Sequence, residues 1–149
     1  MEDRNHALLV NQLGYKNQAT RFLRGVFFTP SFSQKTVPKL QTLFMTDACH
    51  LNFGKYTMCT CYGITANANM LPVGFAIIFG NEKCASWKEF WCFIVRTHPS
   101  INRAEVTIVT DQDKGSMGAI KELVLAVGHF FCAWHHRKNI IKQCGGSSG

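Results

Sequence analysis

Acidic residues are scarce. The 149-residue chain holds nine Asp plus Glu against sixteen Lys plus Arg, a net charge of +7 with the histidines neutral. That balance excludes an acidic, self-repelling chain and favours a polyanionic partner such as nucleic acid. Charged residues of both signs make up only 17%, whereas hydrophobic residues reach 46% and aromatics 12%. Such a composition excludes intrinsic disorder and supports one packed domain at this length. Long apolar runs are missing as well. The longest, Met70 to Phe79, carries Pro72 and Gly74 and falls short of the roughly 18 residues that span a bilayer, so no membrane partner is expected. Met1-Glu2-Asp3-Arg4-Asn5-His6 starts acidic with only a short apolar run behind it, so no secretory leader is readable. The seven cysteines, at 49, 59, 61, 84, 92, 132 and 144, are odd in number and do not suit a disulfide framework. They are expected to be reduced, in the cytosol or nucleus, as core residues or ligands.

Residues 1–38 are the least patterned part and are expected to form an N-terminal segment with one strand, around Val26 to Phe28, ahead of Pro30. The core is expected over residues 39–143. Leu40 to Thr46 is apolar on both faces, as in a strand buried from both sides, and ends in Asp47. Lys55 to Thr65 and Met70 to Phe79 are further strand-forming runs, separated by Ala66-Asn67-Ala68-Asn69, whose asparagines suit a hairpin turn. The period then changes from two to about 3.6. Trp87, Phe90, Trp91 and Ile94 share one helical face, Ser86 and Glu89 have the spacing of a capping box, and Pro99 lies beyond the end. Val106 to Thr110 is a short strand that also ends in an aspartate, Asp111. A second helix is expected over Ser116 to Val127, with Met117, Ile120, Leu123, Val124 and Val127 inward and Gly128 as its stop. Phe130 to Ala133 is a last strand, and a basic helix opens at His135. Residues 144–149, with their Gly-Gly-Ser-Ser-Gly end, are a flexible linker or the end of a truncated copy. The fold class is α/β: a mixed five-stranded sheet, three antiparallel strands and then alternating helices and parallel strands, flanked by helices.

Two of the nine acids stand apart. Asp47 and Asp111 each follow a Thr at the end of an apolar strand. Ligands in open α/β sheets bind beyond the carboxyl ends of the strands, and neighbouring parallel strands would bring the two carboxylates across one gap of about 4.8 Å. Carboxylates that close repel unless a cation separates them, and oxygen ligands select Mg²⁺ or Mn²⁺, the ions of phosphoryl transfer. The plainer alternative makes both of them turn or cap residues. Glu89 and Asp113 read as helix-capping acids, and Glu82 could face the crevice.

Cys132-Ala133-Trp134-His135 sets a thiol and an imidazole at a spacing known from zinc sites. Its nearest complement is Cys49-His50; otherwise the pair is a buried thiol with a hydrogen-bonded histidine. His135, His136, Arg137, Lys138 and Lys142 follow within eight residues, with no acid after Glu122. This end is either a phosphate-contacting surface or a solvated helix face.

Six short motifs, in order and spacing, resemble the transposase domain of Mutator-like elements (MULE), of the ribonuclease-H-like DDE group. They are Thr46-Asp47-Ala48-Cys49-His50-Leu51-Asn52, Leu71-Pro72-Val73-Gly74-Phe75-Ala76, Glu82 with Ser86-Trp87-Lys88-Glu89-Phe90, Thr110-Asp111-Gln112-Asp113-Lys114-Gly115, Ala119-Ile120, and Cys132-Ala133-Trp134-His135-His136-Arg137-Lys138-Asn139. The resemblance implies a ribonuclease-H-like sheet in which Asp47 and Asp111 are the first and second catalytic aspartates and bind Mg²⁺ or Mn²⁺. It further implies that Cys132 and His135 are the C-x-x-H motif close to the catalytic centre. It implies DNA as partner, both transposon ends and target, for which the basic His136, Arg137, Lys138 and Lys142 read above would be the contacting surface, together with a homo-oligomeric full-length protein and nuclear localisation. Two departures accompany it. Ala48 is followed by Cys49 where the family usually carries Thr or a similar small residue. The family's third acid, a Glu on a helix well downstream, has no counterpart here, so the chain by itself is expected to be inactive or weakly active. A domesticated copy that binds DNA or protein without catalysis is the other function compatible with these motifs.

Overall fold

A computed structural model describes residues 7–13, 22–52, 55–80, 83–112, 114–123 and 125–145. Glu82, Asp113 and Val124, together with residues 146–149 of the tail, lie outside the described residues.

The chain runs β1 (Ala7–Leu13), β2 (Phe22–Thr29), α1 (Ser31–Thr36), β3 (Leu43–His50), β4 (Tyr56–Ile64), β5 (Met70–Phe79), α2 (Cys84–Thr97), β6 (Thr107–Thr110), α3 (Lys114–Glu122), β7 (Gly128–Phe131) and α4 (Ala133–Gln143). The sheet order is β1-β2-β5-β4-β3-β6-β7. β3, β4 and β5 form the antiparallel meander, and β6 and β7 add in parallel beyond β3. This is the mixed α/β sheet expected of the five core strands, and it is compatible with a ribonuclease-H-like fold. Two strands rather than one come from residues 1–38, and they extend the sheet past β5 to seven.

One face of the sheet is the packed one. Thr46 is level with Cys61, and Cys61 with Gly74; paired residues share a face, so this row lies under α2, where a Cβ on Gly74 would meet Ile94. Trp87, Phe90, Trp91 and Ile94 are fully buried there, with Phe44, Ile108 and Ala119 in the same core. The helical period of α2 is therefore as read, but its start is not. The helix begins at Cys84, with Lys83 as N-cap and no side-chain cap bond. Ser86 is buried in its first turn, and Glu89 pairs instead with Arg24 of β2 at 2.6 Å. The second helix also shifts. It spans Lys114–Glu122, buries Gly115, Ser116, Ala119 and Ile120, and leaves Met117 37% exposed. Gly128 opens β7 rather than stopping a helix. Small residues face inward because α3 lies close to α2: a Cβ on Gly118 would come 3.2 Å from Cys84 Sγ. The β4–β5 turn forms where expected, closed by the Thr65 and Asn69 backbones, with Ala68 rather than an asparagine in the left-handed region at φ 60°.

Candidate metal centre and nucleic-acid interface

β3 outlasts its parallel neighbour. Its pairing with β6 runs from Leu43↔Thr107 to Met45↔Val109, while its pairing with β4 continues to His50↔Thr57. Asp47 therefore sits inside β3, not at its end, at the level where β6 has just stopped. Carrying the β3–β6 register two residues further makes Asp111 level with Asp47. Asp47 is exposed and Asp111 half-buried. Asp47 Oδ1 accepts the N–H of Ala48 at 2.9 Å, and its carbonyl accepts the Thr60 hydroxyl at 3.2 Å.

The face of the sheet opposite α2 bears Met45, Asp47 and Cys49, level with Tyr62, Thr60 and Met58 of β4. There a cavity of about 310 Å³ is lined by these residues together with Val109, Cys132 and His135. Asp47, Cys132 and His135 are thus brought to one cavity, and Asp111 is not among its lining residues. α4 begins at Ala133, two residues before the expected start, with Cys132 as its N-cap. That puts His135 in the first turn. Its Nδ1 is buried with no hydrogen-bond partner among the described residues, so the hydrogen-bonded histidine of the plainer alternative is not formed at this atom.

A zinc site is not assembled among the described residues. No group of three His, Cys, Asp or Glu side chains among the described residues could hold a metal, and His50 Nδ1 lies 3.3 Å from the Thr57 hydroxyl. The carboxylates of Asp47, inside β3, and Asp111, just beyond β6, are hard oxygen donors of the kind that hold Mg²⁺ or Mn²⁺ through one or two carboxylates, with water or substrate phosphate completing the shell. The donor chemistry fits that ion.

Side chains given no role from the sequence surround Asp111. The Thr110 hydroxyl lies 2.6 Å from the carbonyl oxygen of Asp111 and 2.9 Å from His129 Nε2. Gln112 Nε2 lies 2.8 Å from His136 Nδ1, and Asn139 Nδ2 donates to Gln112 Oε1 at 3.3 Å. Partial burial holds the His129 pKa below the usual histidine value. Their signal in the sequence was weak, because a histidine inside an apolar strand and a glutamine after an aspartate have no period.

His136, Arg137, Lys138 and Lys142 all lie exposed on α4, which has no buried residue. They are not equivalent. His136 meets Gln112, and Lys138 Nζ lies 3.7 Å above the centroid of the exposed Trp134 ring.

No helix among the described residues is long and apolar enough to cross a membrane. No curated protein and no solved structure matches the chain significantly. A family model described as the MULE transposase domain matches residues 39–139, which include Asp47, Asp111, Cys132 and His135. The chain belongs to the MULE transposase domain family.

Proposed function

We propose that residues 39–143 are the core of a DDE transposase that cleaves transposon ends and joins them to target DNA in a divalent-metal-dependent reaction. One observation carries this reading: the β3–β6 register, continued two residues past Met45↔Val109, sets Asp111, just beyond β6, level with Asp47 in β3, inside the segment that matches the family. Asp47 and Asp111 hold Mg²⁺ or Mn²⁺. When bound, such an ion activates water or a 3′-hydroxyl and stabilises the leaving oxygen. The cavity wall of Cys132 and His135 shapes the space beside Asp47. Arg137 and Lys142, with His136 and Lys138 beside them, contact the DNA phosphates and set its path over α4. In the full-length protein the assembly is a homo-oligomer that works in the nucleus.

A second reading is a domesticated domain that binds DNA or protein without cleaving it. Among the described residues no three His, Cys, Asp or Glu side chains are grouped so as to hold a metal, as such a module would show.

Calorimetry with Mn²⁺ on this chain, Asp47→Asn and Asp111→Asn separates them. The catalytic reading expects binding that each substitution weakens by roughly tenfold or more. Melting temperatures should stay close to wild type, because Asp47 is exposed and the amide oxygen introduced by Asp47→Asn can still accept the Ala48 N–H. Binding indifferent to both substitutions removes the metal centre and leaves the binding module; no binding means either that the site needs a further acid or that the domain is a decayed scaffold, which a longer chain separates.

A further inference from the structure

Pairing with β3 does not extend to the turn that carries Asp111. β6 is four residues long, and its pairing with β3 ends at Val109. Support comes from the other side, from β7 and α4. The backbone N–H of Cys132 donates to the Thr110 carbonyl at 2.6 Å. The Thr110 hydroxyl has one proton, and its contact with the Asp111 carbonyl at 2.6 Å requires it. His129 Nε2, 2.9 Å from the same hydroxyl, is then the donor, which assigns the proton on that ring. On the other flank the Gln112 amide has both ends engaged: Oε1 accepts from Asn139, so Nε2 donates to His136, whose Nδ1 is the acceptor. His136 and Asn139 are three residues apart and share a face of α4.

We infer that His129 and Gln112 are positioning residues that pin the neighbours of Asp111, one on each side, to the β7–α4 unit and thereby hold its carboxylate level with Asp47. The inference rests on the metal-centre reading above. It differs from a generic stability role, because the residue placed between the two bridges is the one whose carboxylate must meet a second carboxylate across the strand gap. Outer groups that orient metal ligands act in this way, through geometry rather than contact with the ion.

The test uses the 149-residue chain with Gln112→Met, His129→Leu and His129→Gln. The last keeps an N–H close to the position of the imidazole Nε2–H. Mn²⁺ affinity is read by calorimetry, amide exchange at Cys132 by NMR, and the state of the His136 ring by its nitrogen signals. Gln112→Met and His129→Leu are expected to weaken Mn²⁺ binding roughly tenfold and to speed Cys132 exchange about fivefold or more. His129→Gln is expected to recover most of both effects, and Gln112→Met to shift the His136 Nδ1 signal. Unchanged Mn²⁺ affinity in Gln112→Met and His129→Leu overturns the inference while leaving the metal centre standing. If the wild-type chain binds no Mn²⁺, exchange and nitrogen signals decide the pinning alone, and unchanged values overturn it.

Discussion

Thr29 Oγ1 in β2 lies 3.0 Å from Nε2 of His98, the residue that caps the C-terminus of α2, and both residues are buried. Thr29 gives its proton to the Val73 carbonyl at 2.7 Å, so the ring donates through Nε2–H and ties the C-terminus of α2 to the sheet. Burial lowers the His98 pKa from the ordinary 6.5, with a backbone hydrogen bond to Val73 acting the other way. The unfolded chain keeps the ordinary value. As pH falls below 6.5 the unfolded state takes a proton that the folded state resists, so stability is complete above that pH and is lost on acidification. Melting temperature should fall between about pH 7 and pH 5, and His98→Gln should flatten that fall. An unchanged slope in the variant would assign the acid sensitivity elsewhere, His129 being the next candidate because its pKa is lowered in the same direction.

Gly74 is needed where α2 crosses β5. A Cβ at this position would stand 2.6 Å from Ile94 Cδ1 and 3.4 Å from the Phe28 carbonyl oxygen. Gly74→Ala should cost about 1–3 kcal/mol in urea unfolding through overpacking. Ile94→Val removes the obstructing methyl, so the double variant should be less unstable than the sum of the singles; strict additivity would contradict the contact.

The cysteines should separate by exposure and charge. Cys49, Cys92 and Cys144 are exposed, and Cys59 and Cys61 are buried. Burial pushes the Cys61 thiol far up. The Cys84 thiol is also raised, first by desolvation and then by its hydrogen bond to Glu122, whose carboxylate it meets at 3.4 Å. Alkylation near pH 8, followed by mass spectrometry, should label the three exposed thiols first, Cys84 later, and Cys59 and Cys61 only on unfolding. Glu122→Gln should speed labelling at Cys84 and leave Cys92 as it was.

DNA binding should grade along α4. Arg137→Ala and Lys142→Ala should each lower the slope of log Kd against log salt by about 1 on a generic duplex. Lys138→Ala should change the slope less, because its ammonium already lies against Trp134. Equal slopes for all three variants and the wild type would remove α4 from the interface.

Which parts were readable follows from the range of the forces involved. The helical face of α2 was legible because Trp87, Phe90, Trp91 and Ile94 repeat with the period of the helix and are all buried. Its first turn was not, because the carboxylate of Glu89 is taken by Arg24 in β2, a contact distant in sequence. The inward side of α3 is not legible for a related reason. It is chosen by how closely α2 approaches, so Gly115, Ser116 and Ala119 go in and Met117 stays out. β1 and β2 are not both legible because Ala7–Leu13 and Phe22–Thr29 acquire a sheet edge only once β5 is present to pair with β2.

The sequence by itself determined the α/β class, the five core strands, the helix between β5 and β6, and the two aspartates after Thr46 and Thr110. Each of these rests on local periodicity or on a short motif. Tertiary structure alone decided that Asp47 lies within its strand, because β4 pairs with β3 for longer than β6 does. It also decided that Cys132 and His135 share a cavity with Asp47, and that His129 and Gln112 flank Asp111 through Thr110 and α4. Those relationships depend on where neighbouring strands stop and which helix they meet. No residue spacing along the chain encodes that.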